Sequence, residues 1–329
     1  MAHKIFISPI RSQRTFVALL SLLCPLTLPP FADATPGTKS ASPIRIDGSS
    51  TVYPIVEALA EEYRRERPDD EITIGVSGTG GGFKKFCGGE LEIVTASRKM
   101  QPVEQERCAR AGLTFRELPI ATDAIVVVVH PGNTWAQCLT TDELRAIWQP
   151  AAQGKLTSWK QVRADFPDRP LTLYGPGTDS GTFDYFTEAI VGTATQSRGD
   201  YTASEDDNVL VHGVANDPGA LGYFSLAYYT QNAEKLKAVA VDHPAKGGEK
   251  GAGCIVPSVT TVRDGAYHPL SRALFLYVTT KSMEAEPVKP FIAFATAADR
   301  ASLITEVGFV PRGEGSGELA LRDASNHSE

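Results

Sequence analysis

Two rhythms of apolar residues alternate along this chain. The run IRID at 44–47 is strand-like, and it passes through Gly-Ser-Ser-Thr into a helical pattern through Glu57, Leu59, Ala60 and Tyr63. EITIGVSG (71–78) repeats this order, with a helix opening near Gly81, and LEIVTAS (91–97) reads as a buried strand. IVVVVH (125–130) is an apolar run without a polar face. Continuous β-branched runs of this kind suit a parallel sheet covered on both sides, and strands alternating with helices predict an α/β architecture.

The second half begins around His130-Pro131-Gly132-Asn133. TTDELRAIW (140–148) predicts a helix capped by Thr140 or Thr141, with Asp142 and Glu143 in its first turn. The strand LTLYG (171–175) leads into a helix from about Gly181 to Ile190, and ALGYFSLAYY and LKAVAVD continue the pattern. ALFLYVT (273–279) is a further buried strand, and VKPFIAFAT opens the last substantial helix.

The two ends stand outside this rhythm. Lys4, Arg11 and Arg14 precede FVALLSLLCPLTLPPF, and ADA at 32–34 fits a small-x-small cleavage site, so a secretory signal cut after Ala34 is expected. Prolines 25, 29 and 30 break the run before it reaches the roughly 20 residues of a membrane span. Removing residues 1–34 takes three of 32 basic and one of 39 acidic side chains, leaving 295 residues with a formal charge of −9. An acidic chain has no broad field for nucleic acid, so any anion it binds is held by local geometry. The tail 319–329 reads as flexible.

Four cysteines follow the signal: Cys87, Cys108, Cys138 and Cys254. An even number in an exported chain, without CxxC, favours disulfides over metal. Of the three pairings, Cys87–Cys108 with Cys138–Cys254 is preferred, because one bridge flanks a local segment and the other stays within one half.

Four segments share one design, in which a strand ends, small polar residues follow, and a helix or turn begins: GSST (48–51), SGTGGG (77–82), TASR (95–98) and GTDSGT (177–182). Helix starts expose unpaired N–H groups, glycine lets an anion approach them, and Ser and Thr hydroxyls donate to it. Several such starts at strand ends make an anion cradle. SGTGGG is neither a Walker A loop nor a dinucleotide fingerprint, since no Gly-Lys-Ser/Thr follows and Phe83 stands where the last glycine belongs. Enzyme readings lack complete constellations. DSGT at 179–182 has no second copy to supply a paired carboxylate, G-x-S-x-G is absent, and the six histidines show no metal spacing. No cofactor is expected.

DGSSTVYPI, SGTGGGFKKFCGGELEI, TASR, YGPGTDSGTFDYFTEAIVG and TASEDDNVLVHGVANDPGALGYF together resemble the periplasmic phosphate-binding protein of ABC-type phosphate transporters, over roughly residues 44 to 312. The resemblance implies a two-lobed type II periplasmic-binding-protein fold with a double-crossing hinge near Ala124–Val129 and Thr261–His268. Lobe I would comprise 43–127 plus 266–318, and lobe II 128–265. It implies a non-enzymatic monomer in the periplasm that captures inorganic phosphate and docks on an inner-membrane ABC permease. Carried over by motif, the phosphate ligands are Ser50, Thr51, Thr79, Gly80, Ser180, Gly181 and Thr182, with Ser97 and Arg98 from the third segment. One departure stands out. Arg98 occupies the place of an aspartate that accepts the proton of phosphate in the enterobacterial pattern, while Pro176 stands at the usual arginine. Asp179 and the acidic run Glu205–Asn208 are the candidate acceptors, with Asp179 preferred, and Asn208 is an expected donor. Another tetrahedral oxyanion (sulfate, arsenate, a phosphonate) is the alternative ligand, and a secreted hydrolase the remoter reading.

Overall fold

The computed structural model describes residues 42–243 and 253–311. The expected signal 1–34 with its cleavage point, and the tail 319–329, lie outside the described residues.

The first half opens as β1 (Ile44–Gly48), α1 (Tyr53–Glu66), β2 (Ile72–Ile74), α2 (Gly78–Cys87), β3 (Ile93–Ala96) and α3 (Pro102–Arg110). β2 and β3 flank β1, both parallel to it. The helix expected near Gly81 thus starts three residues earlier, at Gly78. Helices cover both faces of this sheet. Ile55, Val56, Leu59, Ala60 and Tyr63 of α1 pack on one side against Ile44, Ile46, Phe291 and Ile292. On the other side Phe83, Phe86 and Cys87 of α2 pack with Cys108 of α3. Each buried Val, Leu, Ile or Phe among them contributes about 1.5–3 kcal/mol of transfer free energy. Gly82 sets how close α2 comes, since a Cβ there would stand 2.7 Å from Gly48 Cα and Val94 Cγ2. The disulfide Cys87–Cys108 ties α2 to α3.

β4 (Phe115–Val129) is fifteen residues long and belongs to two neighbourhoods. From Phe115 to Ala124 it runs antiparallel to β11 (Ser271–Thr279), which in turn lies beside β3. From Ile125 to Val129 it pairs instead with β8 (Ala220–Ser225). The return passage is alongside, where the Ile125 amide donates to the Leu270 carbonyl at 2.8 Å and β11 begins at the next residue. The changes of neighbour therefore fall at 124/125 and 270/271, close together in space.

Between these crossings lies the second lobe: β5 (Cys138–Thr140), α4 (Thr141–Trp148), α5 (Trp159–Val162), β6 (Thr172–Pro176), α6 (Gly181–Phe186), β7 (Thr202–Ser204), α7 (Asp207–Asn216), then β8 and α8 (Leu226–Gln231), and the short strands β9 (Lys237–Ala238) and β10 (Ala240–Asp242). β8, β6 and β7 are mutually parallel and complete the order β2-β1-β3-β11-β4-β8-β6-β7. The core centres on Tyr223, stacked on Phe186 at 3.8 Å and met edge-on by Trp148 at 4.8 Å. The buried stretch Val126–Val129 supplies its floor, which is why that run carries no polar residue. A bridge between Cys138 and Cys254 closes this lobe, so both disulfides pair as expected. Among the described residues no helix is long and apolar enough to cross a membrane.

Candidate functional site

Side chains that follow the C-terminal ends of β1, β2, β3, β6 and β7 meet between the lobes. Thr51, leading into α1, places its hydroxyl 3.2 Å from that of Thr182 in the first turn of α6. Thr79, in the first turn of α2, places its hydroxyl 3.2 Å from that of Ser97, just beyond β3, and also accepts the Ser97 amide. Ser180 caps α6 by accepting the Thr182 amide at 3.1 Å. Ser50 donates to Asp207 Oδ1 at 3.3 Å. All these hydroxyl residues are buried. Gly181 is what lets the two layers touch, because a Cβ there would lie 2.6 Å from both Ser97 Oγ and Thr79 Oγ1.

The cation of this cluster is Arg272. Its Nη2 donates to Thr182 Oγ1 at 2.8 Å and to Thr51 Oγ1 at 3.1 Å. Nη2 and Nε also donate to Asp123 Oδ2. Arg272 and Asp123 are direct neighbours across β11 and β4, at the crossing itself, and are 3% and 1% exposed. Burial pushes the Asp123 carboxyl up while the guanidinium pulls it down, and Ser225 Oγ donates to it at 2.9 Å. A fork held this way on a rigid strand pair is preorganised for an anion. Its Nη1 has no hydrogen-bond partner among the described residues.

The carboxylate of the cluster is Asp207, at the start of α7 and 1% exposed. Burial pushes its carboxyl up to about 7, against the pull of Arg272 and with Asp123 adding to the rise. Its Oδ2 is buried with no partner among the described residues. A donor without an acceptor and an acceptor without a donor therefore stand in one buried cluster of hydroxyls. That arrangement suits an anion that carries a proton.

Of the residues expected from sequence, the structure brings together Ser50, Thr51, Thr79, Ser97, Ser180, Gly181 and Thr182. Gly80 is adjacent, with its amide given to the Asp179 carbonyl at 2.8 Å. Three others are placed elsewhere. Arg98 is committed to Glu104 through Nη1 and Nη2, to the Lys99 carbonyl, and to Asp184 through Nε. The arginine that reaches the hydroxyls is Arg272. Asp179 is half-exposed and paired with Lys84 at 2.7 Å, so the buried carboxylate is Asp207. Asn208, one residue on, is exposed and bonds to Asp206 within its own turn. Among the described residues no group of three or more potential metal ligands occurs.

Comparison with known proteins agrees with this architecture. A family model described as the PBP superfamily domain matches residues 33–299. Protein SphX of Synechocystis sp. is 48% identical over 278 residues, covering 84% of this chain and 80% of that protein. The phosphate-binding protein PstS of Staphylococcus haemolyticus is 33% identical over 287 residues, covering 86% and 85%. Among solved structures, a possible phosphate-binding protein from Planctomyces limnophilus is 43% identical with a TM-score of 0.58, covering 82% of this chain and 93% of the other. A substrate-binding protein ascribed to a phosphate ABC transporter of Clostridium perfringens, solved with bound phosphate, is 27% identical with a TM-score of 0.66, covering 82% and 98%. Two α/β lobes joined by paired crossing strands, with strand ends and helix starts meeting between them, are thus the type II architecture of that superfamily. The chain belongs to the PBP superfamily and, within it, to the family that includes the SphX and PstS proteins.

Proposed function

We propose that this protein captures inorganic phosphate between its lobes and delivers it to an ABC permease. The observation that carries this reading is the presence of Arg272 and Asp207 in one buried hydroxyl cluster, each with an atom that has no partner among the described residues. Phosphate near neutral pH offers both things the cluster lacks. Its anionic oxygens accept from Arg272, from the hydroxyls of Thr51, Thr79, Ser97 and Thr182, and from amides at the helix starts. Its remaining P–OH donates to Asp207. Sulfate has no proton at this pH and would set a bare oxygen against that carboxylate, which is rejection by unpaired like charge. Arsenate, which carries the same proton, competes.

Capture rather than turnover fits the absence of a nucleophile–base pair among these residues. Closure turns on the two crossings at 124/125 and 270/271, which keep both lobes in register while they rotate. Export by a signal cut after Ala34, release into the periplasm and action as a monomer complete the reading. The two disulfides support an oxidising compartment. Calorimetric titration of the ligand-stripped chain with phosphate, arsenate and sulfate at pH 8 tests it. Tight binding of the first two without a sulfate response is the expected result. Equal binding of sulfate would broaden the ligand to any tetrahedral oxyanion, and no response to any of them would overturn the reading.

A further inference from the structure

Two ion pairs between described residues cross from the first lobe to the second, and both have the cation on the first lobe: Arg98–Asp184 and Lys84–Asp179. The first is buried and prepared in an unusual way. Glu104, in the first turn of α3, takes Arg98 Nη1 and Nη2 as a bidentate pair at 2.7 and 2.9 Å while its Oε2 also accepts the Gln101 amide. The guanidinium carbon stands 5.6 Å from the centre of the Phe83 ring. All these partners belong to the first lobe, so Arg98 is fixed before the second lobe arrives. Nε is the one guanidinium nitrogen these bonds leave unengaged, and Asp184 of the second lobe takes it at 2.5 Å.

Asp184 lies two residues after Thr182 on α6. The movement that brings the Thr182 hydroxyl to Thr51 and Arg272 therefore brings Asp184 to Arg98. We propose that Arg98 and Asp184 are positioning residues for phosphate capture, a latch that engages when the lobes close and sets how long phosphate stays, not how fast it enters. The proposal rests on the phosphate reading above. The latch grips by one oxygen. Oδ1 of Asp184 is buried with no partner among the described residues, so engagement strips water from that atom without replacing it. That cost keeps the latch releasable. Lys84–Asp179, half-exposed at the rim, adds a weaker, salt-screened hold.

The test separates entry from exit. Rapid-mixing binding gives the association rate, and a chase of radiolabelled phosphate gives the release rate. For Asp184→Asn the release rate should rise about 30-fold or more, with association changed less than about threefold. Asp179→Asn, too exposed to endanger folding, should raise release about twofold in low salt and not at all near 1 M salt. A purely structural role would instead lower the active fraction without splitting the two rates. Unchanged release in Asp184→Asn, or equal changes in both rates, would overturn the latch. Lobe separation gives a reading independent of phosphate. Spin labels on Val103→Cys and Val209→Cys, exposed on opposite lobes, should report more of the short distance in the parent chain than with Asp184→Asn added. Identical distributions would sink the latch. A chain that binds no phosphate yet shows the distance shift would sink only the functional reading.

Discussion

Arg98 and Arg272 both stand where the lobes meet, both are largely buried, and both are flanked by carboxylates, yet they are equipped for opposite work. Arg98 spends Nε, Nη1 and Nη2 on protein oxygens, two carboxylates and a carbonyl. Arg272 shares Nε and Nη2 between one carboxylate and two hydroxyls and keeps Nη1 without a partner among the described residues. Burial and charge do not distinguish them. In a binding cleft, a guanidinium nitrogen kept in hand is what marks an arginine as a ligand, because one whose three nitrogens are all engaged has little left to offer an anion.

Six substitutions test that contrast, beginning with the largest expected effect. Arg272→Ala removes the free donor and leaves Asp123 buried and unpaired. Phosphate affinity should fall about 1,000-fold or more by calorimetry, with a loss of roughly 3–5 kcal/mol in stability. Arg272→Lys should rescue little, since a point charge cannot keep Asp123 and two hydroxyls in one plane. Arg98→Ala should weaken binding less, and through release alone. If the two arginines proved interchangeable in effect, the contrast would fail.

Asp207→Asn comes next. Phosphate affinity should fall about 100-fold while sulfate binding appears, which direct competition would show. The same change reports on stability. The Asp207 carboxyl sits at about 7 in the folded chain against an ordinary value near 3.8, so the unfolded chain releases its proton first. Stability of the ligand-free protein should therefore fall as pH rises from about 4 to 7, and the fall should flatten in Asp207→Asn. Thermal melts at pH 5 and 8 check the sign. Gly181→Ala inserts a methyl group between the layers and should cost about tenfold in affinity by keeping the lobes apart. The smallest effect belongs to Lys84→Gln, at most about twofold and absent at high salt, measured by the same titration.

The hydroxyl half of the cluster was legible because its signal is local. Small polar residues directly after apolar runs mark strand ends and helix starts, and Thr51, Thr79, Ser97 and Thr182 all lie there. The charged half depends on distant partners. Arg98 sits beside Ser97 in sequence, but its engagement with Asp184, 86 positions away, is set by how the lobes meet. Arg272 and Asp123, missed altogether, nevertheless left traces. Both are lone charges at the edges of apolar runs, SRALFLYV and ATDAIVVVV, and such residues inside buried strands need each other. Asp207 falls in phase with Leu210, Val211 and Val214, the buried stripe of α7, whereas Asn208 falls on the wet side. Helical phase alone would have chosen between them.

The long strand β4 has a consequence for how the molecule is made. The second lobe is contiguous in the chain, from Ile125 to Leu270, whereas the first cannot finish its sheet without β11. Synthesis delivers residues in order, so β3, which ends at Ala96, waits until Ser271, about 175 positions later, before the strand beside it is available. The part of the molecule that appears first is completed last. Any factor that escorts the unfinished chain has the open edge of β3 to guard.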